Sequence, residues 1–143
     1  MQPAPVLSAL AALLTFQALI VHAKRPEYIT DEIMEMISND KNRCMAEYGT
    51  TEALIDQVND GHIPNDRAIT CYMYCMFESF SLVDEDGEIE IEMLVGFIPE
   101  EFQEIAAELI EACATLPGED VCDKMYKRSS CVQAKRPDLW FMV

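Results

Sequence analysis

Apolar side chains recur in this chain at three- and four-residue intervals and nowhere alternate over a useful length, so the elements they predict are helices. Thr30 followed by Asp31 and Glu32 offers a cap with acidic residues in the first turn, and Ile29, Ile33, Met36 and Ile37 form the face of a first helix running towards Cys44. Gly49-Thr50-Thr51 ends that unit and starts a short second helix with Leu54, Ile55 and Val58 apolar, stopped by Asn59-Asp60-Gly61 and by Pro64 beyond. The third helix carries a nearly continuous stripe of Ile69, Tyr72, Met73, Met76 and Phe80. Met93, Leu94 and Phe97 make a short apolar element before Pro99. Pro99-Glu100-Glu101 then opens a helix whose Phe102, Ile105, Ala106, Leu109, Ile110 and Cys113 predict a second long buried helix. Pro117-Gly118 turns the chain, and Glu119-Asp120 opens a last helix with Cys122, Met125, Tyr126 and Cys131. The expected fold class is all-α, about six helices, without internal repeats or a linker.

Residues 1–23 carry no charged side chain, hold an apolar run from Val6 to Val21 and end Val21-His22-Ala23. That composition predicts a signal peptide with small-residue cleavage after Ala23, leaving Lys24 to Val143 as one domain with one core. A spanning anchor normally needs about 20 apolar residues with charged flanks, so no stable membrane insertion is expected. All ten basic and all 26 acidic residues lie after the leader, giving a net charge of -16. Such a surface keeps a protein soluble and makes nucleic acid and anionic membranes poor partners.

Six cysteines in a short secreted chain imply three disulfides. The organising stretch is Cys71-Tyr-Met-Tyr-Cys75. On a helix its two cysteines lie one turn apart on one face, so each is aimed at a different neighbouring element rather than at its twin. Cys122 and Cys131, on one helix, would stand roughly 13 Å apart, beyond disulfide reach. These constraints leave many of the 15 pairings of six cysteines open. With only His62 among histidines after the leader, a metal centre built on the cysteines is disfavoured, and no metal or cofactor is implied.

The gaps between cysteines are 26, 3, 37, 8 and 8 residues, and with the short ones as the specific part this spacing resembles the six-cysteine insect odorant-binding proteins, of pheromone- and general-odorant-binding type. Cys44-Met-Ala-Glu-Tyr-Gly-Thr-Thr, Ile69-Thr-Cys-Tyr-Met-Tyr-Cys75 and the ending Pro137-Asp-Leu-Trp-Phe-Met-Val143 resemble bee members of that family. The resemblance implies helices around a hydrophobic cavity and the pairing Cys44–Cys75, Cys71–Cys122 and Cys113–Cys131, three interlocked bonds. It also implies that the C-terminal segment folds back as one wall of the pocket.

Little in the chain suggests catalysis. His62 is a lone loop histidine beside Pro64, and neither the His-Asp pair nor the glycine-rich calcium loop of a secreted phospholipase is present, so no enzyme is expected. Asp84-Glu-Asp-Gly-Glu invites an EF-hand comparison, but with Gly87 at the sixth loop position Leu82 and Met93 fall where oxygen ligands belong. Nine methionines are the positive feature. Met73, Met76 and Met125, beside Tyr72, Phe80 and Phe97, suit an adaptable cavity wall, although from the residues alone a solid methionine-rich core is the better reading. The resemblance favours the cavity, and the set it implies as ligand-binding adds Ile33, Ile37, Leu54, Leu94, Leu109, Trp140, Phe141 and Val143.

The expected function is a secreted carrier that solubilises small hydrophobic odorants or pheromones, such as volatile lipids, fatty acids or alcohols, in sensillar lymph and delivers them towards olfactory receptors. A homodimer and a transient receptor contact are compatible with it. The competing reading is a secreted helical interaction protein with a solid core, whose apolar tail Leu139-Trp-Phe-Met-Val143 binds a protein partner. Any pH-dependent release is expected to run on carboxylates raised by burial or crowding, or on a terminal carboxylate at Val143, rather than on His62.

Overall fold

The computed structural model describes residues 25–143, so the leader assigned to residues 1–23 lies outside them. The described elements are α1 (Asp31–Tyr48), α2 (Glu52–Asn59), α3 (Arg67–Ser79), α4 (Ile91–Gly96), α5 (Glu100–Ala114) and α6 (Val121–Lys135), then a 3-10 turn over Pro137–Leu139. Side-chain caps begin four of them. Thr30 Oγ1 accepts from the Ile33 N–H and Thr51 Oγ1 from the Leu54 N–H, both at 3.3 Å. The Asp66 carboxylate accepts from Ala68 N–H and that of Asp120 from Asp123 N–H, both at 2.9 Å. Each satisfies a donor that the first turn of a helix leaves unpaired. Gly49 ends α1 in the left-handed region, at φ 66°, where a residue without Cβ is unstrained.

The core is built around α3, whose residues Ile69 to Met76 are all buried. It packs against α1 on one side and α6 on the other, while α5 packs against α4 and α6. The disulfides follow this arrangement. Cys44–Cys75 ties α1 to α3, Cys71–Cys122 ties α3 to α6, and Cys113–Cys131 ties α5 to α6. Cys71 and Cys75, one turn apart and so not aimed at each other, thus bind α3 to two different neighbours.

Between α3 and α4 the acidic segment folds as a tight turn. Asp84 accepts from the N–H groups of Asp86 and Glu88, and Val83 pairs with Ile89 in an isolated antiparallel bridge. Among the described residues no cluster of His, Cys, Asp or Glu is arranged to hold a metal ion. Gly87 has φ 75°, and a Cβ there would lie 3.1 Å from Val121 Cγ1, so the turn sits directly against the start of α6.

The sequence overstates the burial of α5. Ala106, Ile110 and Cys113 are buried, but Phe102 and Ile105 are 38% and 39% exposed. The apolar stripe is wider than the face that α4 and α6 can cover. Met36, Met93 and Phe97 are likewise exposed, at 65%, 49% and 59%. Two of these three, Met36 and Phe97, border a hollow rather than a packed layer.

Candidate functional site

That hollow is a cavity of about 350 Å³ at the C-terminal end of α3. At about 30 Å³ per water-sized unit it has room for a ligand of roughly a dozen non-hydrogen atoms. From α1 come Ile33, Met36 and Ile37, and from the end of α3 Met76, Phe77 and Phe80. Leu94, Phe97 and Ile98 close the side formed by α4, and Ile110, Cys113 and Ala114 the side formed by α5. Met125, Arg128, Ser129 and Val132 face it from α6, and Leu139 to Val143 complete the wall.

Ten of the sequence-proposed ligand residues therefore share one surface: Ile33, Ile37, Met76, Phe80, Leu94, Phe97, Met125, Trp140, Phe141 and Val143. Four do not. Tyr72 and Met73 are fully buried in the solid core with Ile55, Val58 and Met125, and α3 borders the hollow only from Met76 onward. Leu54 packs half-buried against that same core from α2. Leu109 stands one position before Ile110, about 100° round the helix, which turns it out of the wall.

Two side chains hold the tail in place. The Asn59 amide clamps Met142, donating to its carbonyl at 2.8 Å and accepting from its N–H at 2.7 Å. The Tyr72 hydroxyl donates to the Val143 carbonyl oxygen at 2.6 Å. Burial, with Glu52 adding to it, pushes the Tyr72 phenol well above its ordinary range, so it remains a neutral donor. The apolar C-terminus thus docks on its own domain, and Tyr72 acts on the tail rather than in the wall. Asn59 was hidden in the sequence, where it reads only as part of a helix stop.

The wall is apolar apart from a few groups. Arg128 is 4% exposed; its Nε donates to the Leu116 carbonyl at 3.0 Å and Nη1 to the Gly87 carbonyl at 2.7 Å. Its Nη2 reaches both oxygens of Glu88, at 3.2 and 3.0 Å, which fastens the 84–89 turn to α6. Lys124 Nζ also contacts Glu88, at 2.6 Å. A sequence signal for this residue existed: Arg128-Ser129 interrupts the inward stripe of Cys122, Met125 and Val132.

Carboxylates expected to be raised are instead lowered wherever they depart from their ordinary range. The hydrogen bond from Lys124, then the charge of Arg128, holds Glu88 down. Asp120 is held down by the Asp123 N–H and then Arg67, Asp123 by Lys127, and Asp138 by Arg136. A group with a depressed folded pKa contributes stability above its unfolded value and loses it only as pH falls through the lower folded value. Acidification from about pH 7 to about pH 5 should therefore leave these contacts ionised. His62 is exposed in the α2–α3 loop, away from the wall. His62→Ala should leave a probe-release curve over that range superimposable on the parent's, and a displaced midpoint would show that the histidine is a sensor.

The geometry has counterparts. A family model described as the PBP/GOBP family matches residues 27–135. General odorant-binding protein 69a of Drosophila melanogaster is 32% identical over 104 residues, 72% of this chain and 70% of that protein. Apis mellifera odorant binding protein 5 superposes with a TM-score of 0.69 at 24% identity, covering 79% of this chain and 96% of its own. Odorant Binding Protein 7 from Anopheles gambiae, solved with four disulfide bridges and an azo compound, gives 0.68 at 25% identity, over 78% of this chain and 91% of its own. A match across the helices and cysteines that frame the cavity places this chain in the PBP/GOBP family of insect odorant-binding proteins.

Proposed function

We propose that this chain is a secreted carrier that takes up small hydrophobic odorants or pheromones, keeps them in solution in sensillar lymph and brings them towards olfactory receptors. The observation that carries this reading is the apolar cavity beneath a tail docked on its own domain. Burying a ligand's apolar surface there contributes roughly 25 cal/mol per Å², and the methionines of the wall adapt to its shape. The named relatives are odorant-binding proteins rather than enzymes, and the Anopheles protein was solved holding a small organic compound. No described helix is long and apolar enough to cross a membrane.

The competing reading needs a solid core and a free tail. The hollow beside α3 and the Asn59 clamp on Met142 weigh against it. The test is titration with N-phenyl-1-naphthylamine, a fluorophore that brightens in apolar surroundings. Saturable binding at one site, reversed by long-chain alcohols or acids, is the expected result. A probe that fails to bind the folded protein removes the carrier reading.

A further inference from the structure

A second hollow, of about 140 Å³, lies beside the cavity. Tyr28, Ile98 and Leu139 line both, so these three side chains are the partition between them. Beyond the partition the side hollow is bounded by Pro26, Phe102, Ala106 and Asp138. Ala106 is what leaves the space: it is the small residue on the buried face of α5, one turn after Phe102 and one turn before Ile110. Asp138, the one charged side chain among the described residues there, is already engaged, since its two oxygens accept from Arg136 Nε and Nη2 at 2.8 and 2.6 Å. What remains is surface that suits an alkyl chain. At about 30 Å³ per water-sized unit it adds room for roughly five non-hydrogen atoms.

The partition is not equally fixed along its length. Ile98 is anchored on both sides, its N–H donating to the Val95 carbonyl and its carbonyl accepting from Gln103 Nε2, each at 2.9 Å. Leu139 sits in the 3-10 turn of the tail, with its N–H donating to the Arg136 carbonyl at 3.1 Å. Tyr28 lies on a short segment in which the Ile29 N–H donates to the Pro26 carbonyl at 3.0 Å, and which is tied to α1 by an Arg25–Asp31 pair whose aspartate side chain is 93% exposed. An ion pair so open to water holds little. Tyr28 is itself 37% exposed, so of the three it is the one that yields first.

We propose, building on the carrier reading, that this partition sets the length of molecule the protein prefers. A ligand of about a dozen non-hydrogen atoms fills the cavity and stops against Tyr28, Ile98 and Leu139. A longer chain reaches the side hollow only by displacing Tyr28, and so loses the tyrosine's contacts as it gains its own.

Displacement of N-phenyl-1-naphthylamine by decanol and by tetradecanol tests this. Each further methylene that finds apolar surface tightens binding about fourfold, so four of them would favour tetradecanol on the order of 100-fold if the two hollows were continuous. In the intact protein tetradecanol should instead compete no more than about threefold better than decanol. Tyr28→Ala joins the hollows and should raise that ratio at least about tenfold. Ala106 lines the side hollow and not the cavity, so adding Ala106→Leu to Tyr28→Ala should return the ratio to the parent's and leave decanol unaffected. If the helix content of that double variant differs from the parent's, Phe102→Trp, which narrows the same hollow from a partly exposed position, takes the place of Ala106→Leu. Three results overturn the inference: tetradecanol strongly preferred by the intact protein, a ratio unmoved by Tyr28→Ala, or a raised ratio that survives filling of the side hollow. Each of them leaves the carrier reading standing, whereas a probe that does not bind the intact protein removes that reading itself.

Discussion

Chains that stop before Leu139 should bind an apolar probe on the order of 100-fold more weakly than the intact chain, with almost no change in helix content. Leu139, Trp140, Phe141, Met142 and Val143 all line the cavity, so their loss opens one whole wall to water. Each large side chain whose ligand contact disappears is worth about 1.5 to 3 kcal/mol at most, and relaxation of the remaining wall reduces the sum. Two lost contacts already give the expected factor. The helices should survive, since the caps, the α3 core and the three disulfides all lie upstream. Asn59→Ala provides a graded comparison: it removes both hydrogen bonds to Met142 but keeps every tail side chain, so a loss of roughly tenfold is expected. Titration together with far-ultraviolet circular dichroism checks both. A truncated chain that binds the probe as tightly as the parent would mean that the tail belongs to an interface.

The second large effect concerns stability. Replacing Cys71 and Cys122 together by serine should cost about 4 kcal/mol, because their bond closes a loop of 51 residues and is the longest-range of the three. In a domain of this size that lowers the midpoint of thermal unfolding by something on the order of 15 °C. Cys113 with Cys131 closes only 18 residues, and its removal should cost nearer 3 kcal/mol. Scanning calorimetry of the two double variants gives the ordering, and an equal or reversed cost would show that chain entropy is not what separates these bonds. The hollow makes the crosslinks matter more, since residues around a cavity forgo contacts that a filled core would supply.

Much of this was readable in the residues. Helix caps at Thr30, Thr51 and Asp120 are local chemistry, and so is the single-turn spacing of Cys71 and Cys75 that sends α3's crosslinks to two neighbours. Periodicity marks which side of a helix is apolar, but it does not distinguish a stripe that meets side chains from one that meets empty space. That is why Tyr72 and Met73 were grouped with Met76 and Phe80: all four lie on one stripe, and only its later part, Met76 and Phe80, borders the cavity. Arg128 and Asn59 were missed for a different reason. Their roles come from carbonyls and amides far away in sequence, Gly87 and Leu116 for one and Met142 for the other, and no local pattern encodes those meetings.

Trp140 is the only tryptophan in the chain, and it lines the cavity from the tail. Its emission therefore reports on the central claim, that a hollow closed by the C-terminus receives a hydrophobic ligand. Excited selectively in the intact protein and titrated with 2-undecanone, it should emit as a buried indole and change with saturation at one ligand per chain. Solvent-like emission that stays constant as ligand is added would contradict the account.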